Sequence, residues 1–186
     1  MKRNAISENG WILETIDDLS VCDSFDCGED DLNEYFHKDV RAHQQGLLTR
    51  TYCLYENTEP DIVVALLDFC NDAIHLQKPH LPLDINKVYS TYPAVKLTRL
   101  GVSKDFQRHG IGTQALNMAK RFFVTDNRTG CRFMTVDAYK KPAGIFEFYK
   151  SNGFAPFPKK VPKNSDTTPL FYSLKPISNP DQKELI

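Results

Sequence analysis

Six residues, Gln107-Arg108-His109-Gly110-Ile111-Gly112, stand between a β-leaning apolar segment, Val95 to Val102, and a segment with helical periodicity. In that second segment, Ile111, Ala115, Met118, Ala119 and Phe122 fall on one face of a helix that runs to Phe123. Glycine has no Cβ, so a glycine pair at such a junction lets main chain approach a bulky anion. The N–H groups of the new helix's first turn have no intrahelical acceptor and point at the same spot, where the helix dipole favours negative charge. The chemistry these residues can do is to cradle a pyrophosphate.

Several ligands compete for such a cradle. A P-loop needs Gly-Lys-Ser/Thr at its end, but Thr113-Gln114 follows Gly112, which comes close to excluding that reading. Gly110-x-Gly112-x-x-Ala115 formally satisfies a dinucleotide fingerprint. No βαβ series follows it, however, and no acidic residue clearly ends a second parallel strand about 20 residues on. A plain glycine-rich turn between strand and helix is the remaining alternative. Leu100-Gly101-Val102 followed by Gln107-x-x-Gly110-x-Gly112 resembles the Gln/Arg-x-x-Gly-x-Gly/Ala signature of the GCN5-related N-acetyltransferase (GNAT) family, whose ligand is coenzyme A. A second landmark is Phe148-Tyr149-Lys150-Ser151-Asn152-Gly153-Phe154, preceded by an apolar strand segment, Phe133 to Val136, that runs into Asp137-Ala138. It is similar to the family's strand, short helix and closing Tyr-x-x-x-Gly-Phe. A third, Phe25-Asp26-Cys27-Gly28 with Leu32-Asn33-Glu34-Tyr35-Phe36, resembles the start of the GNAT subgroup that includes toxins of toxin–antitoxin pairs.

The elements around these motifs alternate in type. Trp11 to Ile16 reads as a first strand, and Asp26 as the cap of a helix whose first turn is acidic (Glu29, Asp30, Asp31). Leu32, Tyr35, Phe36 and Val40 form that helix's apolar stripe. Thr49 to Tyr55 and Ile62 to Phe69 read as a hairpin turned by Asn57-Thr58-Glu59-Pro60-Asp61. Ala73 to Val88, rich in proline and polar residues, reads as an irregular excursion. Pro142 opens a helix over Ala143 to Ser151, and Gly153 is its expected C′ glycine. In that ending Tyr149 and Phe154 occupy the two positions that make a hydrophobic contact. Pro169 to Leu174 reads as a last strand, with loop at Pro156 to Thr168 and a polar tail from 177 to 186. This order predicts a mixed α/β protein, with residues 1–176 as a single domain and no doubly wound sheet.

Composition bounds the function. A chain of 186 residues with 41% hydrophobic residues can bury one core. Net charge is −1, so no global basic field draws it to nucleic acid or an anionic membrane. The longest apolar run, Ile62 to Phe69, is too short to span a bilayer, and no signal-peptide h-region follows Met1-Lys2-Arg3-Asn4. Cysteines 22, 27, 53, 70 and 131 show no metal-site spacing and read as reduced, mostly buried thiols of a cytoplasmic protein.

What the resemblance implies is more specific. It implies the GNAT architecture, a twisted, mostly antiparallel central sheet flanked by helices, with middle strands Val95–Val102 and Phe133–Val136 splayed apart. It implies acetyl-CoA as co-substrate and no metal. Leu100, Gly101 and Val102 would meet pantetheine, with Gly101 a bulge. Gln107, Arg108, His109, Gly110, Ile111, Gly112 and Thr113 would hold the diphosphate, His109 through its main chain with its imidazole in solvent. Tyr149 would be the general acid that protonates the departing thiolate. The implied acceptor is an amine-bearing small molecule or protein. Within the toxin subgroup it would be aminoacyl-tRNA, with an antitoxin as partner. A homodimer is compatible with this, a membrane partner is not expected, and a silent acyl-CoA-binding interaction module is the non-enzymatic alternative. Asp68, Glu56, Asp137 and water are the open choices for a general base. Lys140-Lys141 and Lys159-Lys160 with Lys163 are small basic clusters. His37, His43, His75 and His80 read as surface or loop histidines.

Overall fold

The computed structural model describes residues 5–75, 89–125, 129–157 and 165–175. Its eight strands follow chain order across one hydrogen-bonded sheet, except that the last two exchange places at the edge. The chain forms two compact units, residues 1–70 with 97–126 and residues 71–96 with 127–186.

The first unit begins with a hairpin. β1 (Ala5–Glu8) pairs antiparallel with β2 (Trp11–Thr15) across Asn9-Gly10, with Glu8 opposite Trp11. Asn9 and Gly10 both have positive φ, 50° and 85°, which a tight two-residue hairpin turn requires and which Asn-Gly accommodates most easily. β2 continues antiparallel to β3 (Arg50–Glu56), and β3 to β4 (Ala65–His75). The hairpin expected around Asn57 is therefore present, but β4 is longer than expected. Ala73 to His75 are strand rather than irregular chain, and 76–88 lie outside the described residues.

Between β2 and β3 runs helical chain: α1 (Asp30–Glu34), a π turn (Tyr35–Asp39) and α2 (Val40–Gln45). The π turn inserts one residue into the helical repeat, so consecutive Tyr35 and Phe36 are both buried, together with Val40. The N-cap is Glu29, which makes no side-chain cap bond, so the expected cap at Asp26 is corrected. Asp26 instead bonds Gly28, Asn33 and Lys104.

β3 has helices on both faces, which explains why nearly all of it is buried. Cys53 and Tyr55 join Phe25, Phe36 and Val40 in one core cluster. Tyr52, of opposite parity, stacks edge-on with Phe122 of α3 (Ile111–Thr125), their ring centroids 5.2 Å apart. All five residues expected on the buried stripe of α3 are buried.

In the second unit, β6 (Phe133–Tyr139) pairs antiparallel with β8 (Thr167–Ser173), and β8 with the two-residue β7 (Ala155–Pro156). Pro156, Thr167 and Thr168 are thus strand, not loop, and 158–164 lie outside the described residues along with Lys159, Lys160 and Lys163. β5 (Thr91–Val102) begins in this unit, where Arg132 N–H donates to Pro93 O and Lys96 pairs with Asp137. β5 and β6 therefore ascend together here. Ile74, Tyr92, Ala94 and Phe133 form this unit's core cluster.

Candidate active site

In the first unit, β5 ends at Val102, and a single 3-10 turn (Lys104–Phe106) leads to the glycine-rich junction. Gln114 N–H donates to Gly110 O at 3.0 Å, which is the first bond of α3. The N–H groups of Ile111, Gly112 and Thr113 precede it and have no main-chain acceptor among the described residues. Two left-handed residues bend the chain to present them, Arg108 at φ +63° and Gly110 at φ +81°. Glycine takes that conformation freely, whereas a bulky residue such as Arg108 rarely does. A Cβ added to Gly110 would meet nothing within 4 Å, so the glycine is needed for its backbone angle. Three donors aimed outward from a helix start form an anion-binding arrangement.

The side chains here divide in two. Arg108 and His109 are exposed. Gln107 differs from its expected phosphate contact. Its amide donates to Cys27 O at 2.6 Å and to Val102 O at 3.0 Å, so both amide hydrogens are committed within the protein. Leu100 and Val102 are half-buried, and Gly101 is buried inside a continuous β5. In place of the expected bulge, packing explains this glycine: a Cβ would stand 2.9 Å from Phe25 Cε1 and 3.3 Å from Phe36 Cε2.

Tyr149 belongs to the second unit, on α4 (Ala143–Ser151), whose N-cap is Pro142. The helix ends as its spacing predicts. Phe154 N–H donates to Tyr149 O at 3.0 Å and Gly153 N–H to Lys150 O at 2.9 Å, with Gly153 at φ +81°. The Tyr149 and Phe154 rings meet edge-on with centroids 5.5 Å apart. Burial pushes the Tyr149 phenol well above the usual tyrosine range. The hydroxyl has no hydrogen-bond partner among the described residues, yet no sealed side-chain polar atom among them lacks one.

The four options for a base have different surroundings. Asp68 is fully buried and accepts hydroxyl bonds from Tyr35, from Thr51 (3.0 Å) and from Thr98 (3.3 Å), so it knits strands together. Asp137 is paired with Lys96, and Glu56 is exposed at the end of β3. His37 and His43 are half-buried in the π turn and α2. His37 Nε2 donates to Phe25 O at 2.7 Å, which corrects its reading as a surface histidine. His75 is exposed on β4, and His80 lies outside the described residues. Among the described residues no group of three His, Cys, Asp or Glu side chains is arranged to hold a metal, and all five cysteines are free thiols.

In the sequence, Asp26, Cys27 and Asn33 belong only to a motif or a helix start, and Lys104 belongs to neither. Asp26 and Cys27 are bonded to the segment that enters the cradle, at Lys104 and Gln107, and Asn33 is bonded to both Asp26 and Cys27. The signal for this was the unexplained match at Phe25 to Gly28.

Comparison with known proteins gives a family and a shared fold. Residues 63–156 match the family described as Acetyltransferase (GNAT) domain. AtaTR bound with AcCoA is 25% identical, with 91% of this chain and 97% of that one aligned at a TM-score of 0.69. The AtaT–AtaR complex bound to DNA is 26% identical over 89% of this chain and 95% of that one, at 0.63. A mutant AtaT toxin bound to the C-terminus of the antitoxin AtaR and acetyl-CoA shares the fold, at 23% identity over 94% and 100% and a TM-score of 0.69.

Proposed function

We propose, for a chain that belongs to the GNAT acetyltransferase family, that it moves an acetyl group from acetyl-CoA to a primary amine by direct attack, with Tyr149 as general acid. The observation that carries the coenzyme half is the outward row of unpaired N–H groups at Ile111, Gly112 and Thr113 behind the left-handed Gly110. Those donors suit a diphosphate, and Leu100, Gly101 and Val102 would lie along pantetheine. In the transfer, the amine nitrogen bonds to the thioester carbonyl carbon and the C–S bond breaks. The leaving sulfur takes its proton from the Tyr149 hydroxyl, the amine's proton passes to solvent, and solvent returns one to the Tyr149 phenolate. Main-chain N–H groups near Val102 would polarise the carbonyl at little reorganisation cost.

A tyrosine phenol is protonated at neutral pH, as a general acid requires, and burial moves its titration further upward. Tyr149→Phe keeps the ring that packs on Phe154 and removes only the proton donor. It should retain acetyl-CoA binding while turnover falls by about 10²-fold or more. Turnover equal to the parent's would remove Tyr149 from the reaction. The free thiols fit a cytoplasmic location, and residues 1–176 would act as one domain.

A second reading names the acceptor. The likeness to an AtaT toxin bound to the C-terminus of the antitoxin AtaR supports a toxin restrained by an antitoxin, and the subgroup resemblance at Phe25 to Phe36 would make its acceptor the amine of aminoacyl-tRNA. Growth arrest on expression, relieved by a co-expressed partner, supports it. Acetylation of small amines or protein amino groups without growth arrest supports the free-standing enzyme. Coenzyme binding with no turnover on any acceptor would leave an interaction module.

A further inference from the structure

Three consecutive residues, Phe25, Asp26 and Cys27, touch the chain entering the cradle at positions 101, 104 and 107. The Phe25 ring fills the space against Gly101 that a Cβ would need. Asp26 O accepts Lys104 N–H at 3.0 Å, and Asp26 Oδ2 accepts Lys104 Nζ at 2.7 Å. Cys27 O accepts Gln107 Nε2 at 2.6 Å. The step from Lys104 to Gln107 matches the 3-10 turn at Lys104–Phe106, which brings every third residue onto one side. Behind the three, the helical chain anchors them. His37 Nε2 donates to Phe25 O, Asn33 Nδ2 donates to Asp26 Oδ1 at 2.8 Å, and Asn33 Oδ1 accepts both the Cys27 N–H (2.9 Å) and its thiol (3.1 Å).

We propose that this clasp shapes the diphosphate cradle, and that Asp26 is its positioning residue for coenzyme binding; the inference rests on the acetyl-CoA reading of the junction. Directly beyond Gln107 the chain turns left-handed at Arg108, a conformation that arginine does not keep unaided. The last fixed point before that turn is the Gln107 amide on Cys27. Asp26 holds the middle of the clasp through both its main chain and its carboxylate. Without it, the segment from Ser103 to Arg108 samples other shapes, and the N–H groups after it converge less often on one anion. Two explanations of the network compete, a purely structural tie and a positioning device, and they differ in what each would change. A structural tie stabilises the ligand-free protein and leaves affinity alone. A positioning device changes affinity more than stability.

The test is calorimetric titration with coenzyme A, together with ligand-free melting and amide exchange, on the full chain. Asp26→Ala should weaken coenzyme A binding about tenfold, speed exchange at residues 104–108 and leave the ligand-free melting temperature nearly unchanged. Asp26→Asn keeps an acceptor for Gly28 and should recover most of the affinity. Lys104→Met removes only a half-exposed ion pair, so it should weaken binding about two- to threefold and speed exchange at residues 104–108. That variant decides the matter should Asp26→Ala fail to fold. Parent-like affinity in a folded Asp26→Ala, or parent-like exchange and affinity in Lys104→Met, overturns the clasp while the coenzyme reading stands. No binding heat in the parent protein overturns both.

Discussion

Gly101 shows how one absent methyl group can carry a site. Its nearest neighbours are the rigid rings of Phe25 and Phe36, 2.9 and 3.3 Å from where a Cβ would stand, and neither can swing away as a flexible chain end would. Phe36 is fully buried, so the strain of Gly101→Ala cannot be relieved outward. Overpacking of this kind costs about 1–3 kcal/mol. We expect Gly101→Ala to lower the unfolding free energy by that amount, read as a lower urea midpoint at an unchanged slope, and parent-like stability would show that the rings can shift. The position was legible as a glycine with a purpose, but not which purpose. A bulge and a close ring contact leave the same mark in sequence, and the contacting residues lie far away in the chain. Tyr149 was legible in more detail. Its spacing to Gly153 and Phe154 predicts both the capping hydrogen bonds and the ring pair, because all three belong to one local turn. Gln107 was misread for the opposite reason: its acceptor at Cys27 is eighty residues away in sequence.

At the scale of elements, α3 holds the least expected residue. Lys120 lies on the buried side of the helix, and burial depresses its ammonium to about 8. The sign follows from proton counting. Between about pH 8 and the ordinary lysine range near 10.4, the folded chain has released this proton while the unfolded chain still holds it. Stability from this residue therefore rises with pH across that window, by at most on the order of 3 kcal/mol. Other groups act against it. Burial pushes the Cys22 and Cys131 thiols up to about 11 and raises the Tyr35, Tyr55 and Tyr149 phenols, so above about pH 9 the unfolded chain loses those protons first. The difference between parent and Lys120→Met isolates the lysine. The variant should be the more stable at pH 7, with its advantage shrinking steadily from pH 8 to 10.5 in urea titrations. A constant difference would show that Lys120 is not the titrating group. The stripe around it was legible by period, since Ile111, Ala115, Met118, Ala119 and Phe122 are all buried. β1 was missed although Asn9-Gly10 is a strong hairpin signal. Four residues ending in Ser7-Glu8 bury too little to register as a strand by themselves, and only pairing with β2 makes them one. β7, two residues long, likewise exists only through its partner β8.

For the whole molecule, the question is which nucleotide stabilises the fold. Net charge near zero gives no long-range preference among anions, so discrimination must come from local donors. A ligand that binds only the folded chain adds RT ln(1 + [L]/Kd), about 2.7 kcal/mol at a hundred times Kd. For a chain of this size each kcal/mol raises the melting temperature by roughly 2–4 °C. Acetyl-CoA at that concentration should therefore raise it by roughly 5–11 °C. ATP carries the phosphates without the pantetheine arm that would lie along Leu100 to Val102, and should give a much smaller shift. NAD tests the fingerprint Gly110-x-Gly112-x-x-Ala115 directly, because it offers a diphosphate between two nucleosides. Equal shifts with NAD and acetyl-CoA would mean that the cradle recognises diphosphate alone. A shift with NAD and none with acetyl-CoA would return the junction to dinucleotide chemistry and leave the acetyl-transfer reading without its co-substrate.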